Sequence, residues 1–320
     1  MPVNSNKPER WKADVAQSVD FYNEWFMSFA PDTYRNTRLR TTEQVLEAFK
    51  LTENLTNIGP KVLKAHPSIV EILRMSTAPP IARDRLIGLS GVSSTVIRNM
   101  ELNNRLPPSL DDADIDAALE KIGYVISRLL DRDIFTWSNK DKDASQDIVY
   151  RAATVIADRL CGAIANPIIR NAQEQRQLAT IERWLNERGY NLLEASDRVA
   201  FDSIPAGSFT FRLNIPIQQK GRDQQVNIPI DAVVMPQNAQ AGEKPLLIEA
   251  KSAGDFTNTN KRRKEEAVKV SQLRHTYGQD VHFVLFLCGY FDSGYLGYEA
   301  AEGIDWVWEH RLEDLAEFGL

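Results

Sequence analysis

The pattern of apolar and polar positions changes character near Gly189. Before it, apolar residues recur at three- and four-residue spacing in TEQVLEAFKLTENL, in DDADIDAALEKIGYVISRLLDR and in SQDIVYRAATVIADRLCGAIANPIIRNAQEQRQLATIERWLNERGY. That period lays one apolar stripe along a helix, so residues 1 to about 185 read as mostly helical. The stripe breaks at STAPPIARD, NNRLPPSLDD and SNKDKDASQD, where prolines and polar clusters punctuate the chain. After Gly189 come short runs rich in Val, Ile, Leu, Phe and Trp: FTFRLNIPI, VNIPIDAVVMP, KPLLIEA, VHFVLFLCGYF and GIDWVWE. These have the length and composition of strands. A long helical stretch, about NTNKRRKEEAVKVSQLRHTYG, separates the third run from the fourth, and a last helix, HRLEDLAEF, closes the chain. The order predicts an α+β or α/β protein. A helical N-terminal domain is expected over 1–160, and over 161–320 a mixed β-sheet flanked by helices, the first of them at 168–188.

Two of the predicted strands carry charge where a buried pattern should continue. VNIPI runs into Asp231, and LLI runs into Glu249 and Lys251. Positions i and i+2 on a strand project from one face, so Glu249 and Lys251 point together. The connection through MPQNAQAGEK is rich in turn formers and suits a hairpin, whose antiparallel strands would bring Asp231 to Glu249. Two carboxylates held together repel unless a cation lies between them. Hard oxygen ligands suit Mg²⁺, which keeps waters and borrows ligands from a phosphate. Lys251 beside it would hold or help deprotonate an attacking water. These are the parts for hydrolysing a phosphodiester. The bland alternative is a surface ion pair at a strand end, and the interruption of two apolar runs argues against it.

Two further stretches suit a polyanion. The formal net charge is −6, so nucleic acid would have to meet a local basic surface. Lys261, Arg262, Arg263 and Lys264 stand together at a helix start, where the helix dipole disfavours cations and phosphates would offset the cost. Asn258 and Asn260 beside them are turn and cap formers able to donate to phosphate. At about 82–103, ARDRLIGLSGVSSTVIRNMELN reads as a helix-turn-helix. Gly91 falls at the tight turn, and Val92, Val96 and Ile97 pack the second helix on the first. Ser93, Ser94, Thr95, Arg98 and Asn99 are left to face a major groove, where Arg reads guanine and Asn reads adenine.

PID…IEAK, with Ile230 between Pro229 and Asp231, resembles the PD-(D/E)xK nuclease motif. The wider run EAKSAGDFTNTNKRRKEEA…QLRHTYG…FVLFLCGYFDSGYLGYEAAEGIDWVWEHRLEDL resembles the XamI-type family of type II restriction endonucleases. The resemblance implies a restriction-endonuclease fold over 161–320 and Mg²⁺-dependent cleavage of double-stranded DNA at a short sequence. It makes Asp231 and Glu249 metal ligands and Lys251 the catalytic lysine. Nucleases of this fold often add an acid from the helix before the sheet, where Glu174 is preferred to Glu182, and Gln272 in SQLRHTYG matches a helix glutamine that orients active-site groups. It also implies a homodimer on a palindromic site, 5′-phosphate ends, and a cognate DNA methyltransferase as a genetic rather than physical partner.

Two alternatives stay open: a repair or recombination nuclease of the same fold, and a DNA-binding regulator without catalysis. Cys161 and Cys288 lack metal-site spacing, and the four histidines are scattered, so no zinc or disulfide framework is expected. With no apolar leader and no window approaching about 18 apolar residues, a cytoplasmic protein with no membrane contact is expected.

Overall fold

The computed structural model describes residues 2–138, 144–194, 200–218, 225–257 and 259–320. Helices α1 (Pro8–Leu51), α2 (Pro60–Ala65), α3 (Val70–Met75), α4 (Arg83–Ser90), α5 (Ser94–Asn103), α6 (Asp112–Leu129) and α7 (Gln146–Glu187) come first. Strands β1 (Asn191–Leu192), β2 (Ser208–Gln218), β3 (Gln225–Val234) and β4 (Leu246–Ala253) follow. Then come α8 (Thr259–Tyr277), β5 (Phe283–Gly289), α9 (Ser293–Ala301) and β6 (Asp305–Trp308). The fold class is the expected one: a helical N-terminal region and a mixed sheet with flanking helices.

Two compact units are present, Ala30–Ile168 and a second made of Met1–Phe29 with Ile169–Leu320. Both boundaries fall inside long helices, α1 and α7, within two residues of Pro31 and Pro167. A proline ring removes one backbone hydrogen bond from a helix.

In the helical unit, α6 shows how the pattern works. Asp111 caps its start by accepting from the Asp114 N–H at 2.8 Å, and Ile115, Leu119, Ile122 and Ile126 form its buried stripe. That stripe joins Phe49, Leu73, Leu86, Ile97 and Ile156 in one core. Alanine-rich α7 includes a stretch long and apolar enough by composition to cross a membrane, contrary to the sequence expectation. Its Ala153, Ile156, Ala157 and Cys161 are fully buried, as in the core helix of a folded unit.

In the other unit, the described strands form one sheet in the order β1-β2-β3-β4-β5-β6. The β2–β3 and β3–β4 pairs are antiparallel, and β1–β2, β4–β5 and β5–β6 are parallel. One face packs against Ile181, Trp184 and Leu185 of α7. The other packs against Val270 and Leu273 of α8 and Tyr295 and Leu296 of α9. The first residues belong to this unit. The N–H groups of Val3, Asn4 and Ser5 converge on the Asp305 carboxylate, and the Trp11 indole donates to the Asn4 carbonyl at 2.9 Å. The closing segment Glu309–Phe318 is the expected last helix, of 3₁₀ type. It is broken at Arg311 (φ −136°, ψ 56°), whose guanidinium is drawn to Asp14 at 2.7 Å and Asp314 at 2.6 Å.

Candidate active site

The sheet forks at Asp231. The β3–β4 ladder holds Val234 to Leu246, Val233 to Leu247 and Ala232 to Ile248, and then stops, while β2 and β3 stay paired out to Gln218 and Gln225. At the same level β2 and β3 both change face. Phe209 of β2 packs on the α7 side, whereas Leu213, Ile215 and Ile217 pack on the α8 side. Strict alternation would put all four on one face. In β3, Ile228 and Ile230 lie on the α8 side, while Ala232 and Val234 lie on the α7 side. The Ala250 N–H, just past the end of the ladder, would go unpaired, and it donates instead to Asp231 Oδ2 at 2.8 Å.

A cavity of about 310 Å³ opens at the fork, lined by Asp231, Glu249, Lys251, Glu174, Gln177 and Arg170 among others. Glu249 and Lys251 share the α8 face of β4, as their spacing predicts. Lys251 Nζ lies 2.8 Å from Glu249 Oε1 and 3.0 Å from Glu266 Oε1, and Lys269 Nζ lies 2.7 Å from Glu249 Oε1. Two ammonium groups are thus threaded through two carboxylates that are 5% and 2% exposed. Glu249 Oε2 is buried with no hydrogen-bond partner among the described residues.

The electrostatics follow from burial. Desolvation, then the neighbouring Glu249 charge, pushes the Asp231 carboxyl up to about 6, against the Ala250 N–H and Lys251, which favour its ionised form. Burial also raises Glu266, with Lys251 opposing. For Lys251 burial disfavours the ammonium, but Glu249 and Glu266 outweigh it and hold the group firmly protonated. Asp231 is an acid poised near neutrality, and Lys251 is a fixed cation beside it.

A family profile described as XamI restriction endonuclease matches residues 53–308. The chain belongs to the XamI restriction endonuclease family. It is also 53% identical over 317 residues, 99% of both chains, to the "Type II restriction enzyme SalI" of Streptomyces albus G. No solved structure matches the chain.

In this family member the other predicted residues fall out unevenly. Glu174 reaches the cavity and is held at 2.8 Å by Arg212 Nη2. Gln272 does not line it. Glu265 lines the cavity, and Glu266 and Lys269 of α8 reach Lys251 and Glu249, leaving Gln272 a turn past the site. The glutamines that line the cavity are Gln173 and Gln177 of α7, and Gln177 is 1% exposed. Gln177 accepts from Ser252 Oγ at 2.9 Å and donates to the Phe286 carbonyl at 3.2 Å, pinning β4 and β5 to α7. Glu266, Lys269 and Gln177 are the residues sequence reading missed. A signal for the first was present: Glu266 interrupts the stripe that Val270 and Leu273 continue, an acid at a core position of an amphipathic helix.

The predicted turn is also formed. Gly91 ends α4 at φ 63°, Ser93 caps α5 by accepting from the Thr95 N–H, and Val92, Val96 and Ile97 are buried. Ser93, Ser94, Thr95 and Arg98 are exposed. Asn99 is turned into its own helix, donating to the Thr95 carbonyl at 2.9 Å and accepting from Asn103 at 3.0 Å. Lys264 is exposed on α8. Asn258 and the side chains of Asn260, Lys261, Arg262 and Arg263 lie outside the described residues.

Among the described residues no group of three or more His, Cys, Asp or Glu side chains has metal-binding geometry. Two carboxylates suffice for Mg²⁺, which completes its shell with waters and substrate phosphate. The orphaned, buried Glu249 Oε2 and the desolvated Asp231 fit such an ion.

Proposed function

We propose that the protein cuts both strands of duplex DNA at a short specific sequence, by hydrolysis at the forked sheet edge. The observation that carries this reading is the convergence of Asp231, Glu249 and Lys251 on one cavity, with Lys269 as a second ammonium on Glu249. Asp231 and Glu249 would hold Mg²⁺, which supplies Lewis-acid stabilisation of charge on the scissile phosphate. Lys251, protonated throughout the physiological range, acts as a donor: it orients the attacking water and faces the phosphate oxygens. Glu266 and Lys269 fix the positions of Lys251 and Glu249, and Glu174 adds a third acid from α7. Ser93, Ser94, Thr95 and Arg98 at the start of α5 would read base edges, with Asn99 available once its bonds within the helix open. Lys261, Arg262, Arg263 and Lys264, with Asn258 and Asn260, would take backbone phosphates. A homodimer matches a palindromic target, since a two-fold protein mirrors a two-fold site. Cleavage inside the cell requires that a methyltransferase protect the host's own sites, so the protein is assigned to the cytoplasm beside its substrate.

Incubation with a sequenced plasmid and Mg²⁺, followed by end mapping, tests the reading. Discrete fragments with 5′-phosphate ends at one recurring sequence are expected. Smearing would support a nuclease without sequence choice, and retention of DNA without scission would support a non-catalytic binder.

A further inference from the structure

Arg212 sits in the middle of β2 with φ +53°, a conformation that glycine adopts freely and residues with a Cβ rarely do. It marks the level of the fork. Phe211 pairs with Ala232 and Leu213 with Ile230, so Arg212 and Asp231 are the step between them where both strands change face. A left-handed position within a strand would ordinarily hold glycine or asparagine. Here it holds a long cation, whose Nη2 reaches Glu174 Oε1 at 2.8 Å. Glu174 in turn lines the cavity that holds Asp231 and Glu249. The pair is not held by burial: the two side chains are 58% and 40% exposed, and exposed ion pairs contribute little to stability. Backbone strain without a packing return is expected where an arrangement serves the reaction rather than the fold.

We propose that Arg212 is a positioning residue for cleavage, steering the Glu174 carboxylate over the cavity as the third acid alongside Asp231 and Glu249. The inference rests on the nuclease reading above and deepens it. Arg212 acts through Glu174. Without the guanidinium, Glu174 is a solvated helix side chain free to sample several rotamers, and the left-handed turn of β2 loses its purpose.

The test compares Arg212→Gly, Arg212→Lys, Glu174→Gln and the double variant Arg212→Gly/Glu174→Gln. It reads thermal unfolding, DNA affinity in Ca²⁺ and single-turnover cleavage in Mg²⁺. Glycine relieves the strain, so Arg212→Gly should raise the unfolding midpoint by about 2–4 °C. Its affinity for DNA should stay within about two-fold while its cleavage rate falls about tenfold or more, the signature of a misplaced group. Glu174→Gln should lose a similar factor, and the double variant should be no slower than the slower single variant. Arg212→Lys should recover part of the rate. Wild-type cleavage by Arg212→Gly overturns the proposal, as do losses that multiply in the double variant or a fall in DNA affinity that accounts for the rate. Should Arg212→Gly fail to fold, Arg212→Ala takes its place with the same rate criteria. Asp231→Asn separates the two layers: cleavage by that variant removes the nuclease reading itself, whereas its silence beside a fully active Arg212→Gly removes only the role of Arg212.

Discussion

Asp231 is the residue on which the most physical terms converge. It gives the Ala250 N–H a partner, it faces Glu249 across the fork, and its burial and that neighbour raise its carboxyl to about 6 from an ordinary 3.8. Between pH about 4 and 6 the folded chain therefore keeps a proton that the unfolded chain has released. Stability falls as pH rises through that window, and the ionised carboxylate costs about 3 kcal/mol at neutral pH. Asp231→Asn keeps an acceptor for the Ala250 N–H without the charge. In EDTA it should exceed the wild type in stability by up to about 3 kcal/mol above pH 6, with the gap closing below about pH 4. Denaturant titrations of both proteins across this range check it, and a gap that does not change with pH would show that Asp231 is not desolvated. Asp231, Glu249 and Lys251 were legible in the sequence because a two-residue period and two interrupted apolar runs announce them. Glu266 left only the trace of an acid in the stripe of Val270 and Leu273, and Lys269 left none, because the rotation of α8, set by how those two residues pack, decides which of its many charges turn inward. Arg212 was hidden for another reason: nothing in FTFRLNIPI marks the point at which a strand changes face.

At the scale of elements, the site depends on β4 lying between α7 and α8 while β3, past Ala232, leaves it and stays paired with β2. Gln177 ties β4 and β5 to α7, and buried Glu309 holds Arg176 of the same helix at 2.8 Å. On the other side of β4, Gly289 ends β5 at φ 97°. A Cβ there would stand 2.1 Å from the Ala253 carbonyl at the end of β4, and the backbone is held against a compensating shift because the Gly289 N–H donates to Ser18 Oγ at 2.8 Å. Gly289→Ala should therefore destabilise the protein by more than about 3 kcal/mol, measured by chemical denaturation. A cost under about 1 kcal/mol would mean that the β4–β5 end yields easily. The helices and strands themselves were largely readable from periodicity, including the turn at Gly91. The fork was not, since it arises where two ladders compete for β3, a relation between distant segments.

For the molecule as a whole, charge sets the terms of DNA binding. A net charge of −6 repels a polyanion at long range, so affinity must come from local cationic surface. Charge reversal at both Arg262 and Arg263 should weaken binding to all sequences alike. It should also lower the slope of log affinity against log salt by about 2, in proportion to the phosphates released. An unchanged slope, measured by fluorescence anisotropy, would place that run away from the duplex. The division of the chain into two compact units falls inside α7 at Ile168, where Pro167 is its sequence-level trace, and not at the change of period near Gly189. The inclusion of residues 1–29 with the sheet has none, because it rests on Asp305 gathering the N–H groups of Val3, Asn4 and Ser5 from 300 or more positions away. The central claim is that the cluster at the fork performs the cut. Single-turnover cleavage by Lys251→Met, with DNA affinity measured in Ca²⁺ on the same preparation, tests it most directly. The account predicts a rate lowered by about a hundredfold or more with affinity essentially retained, whereas a Lys251→Met variant that cleaves at the wild-type rate would contradict it.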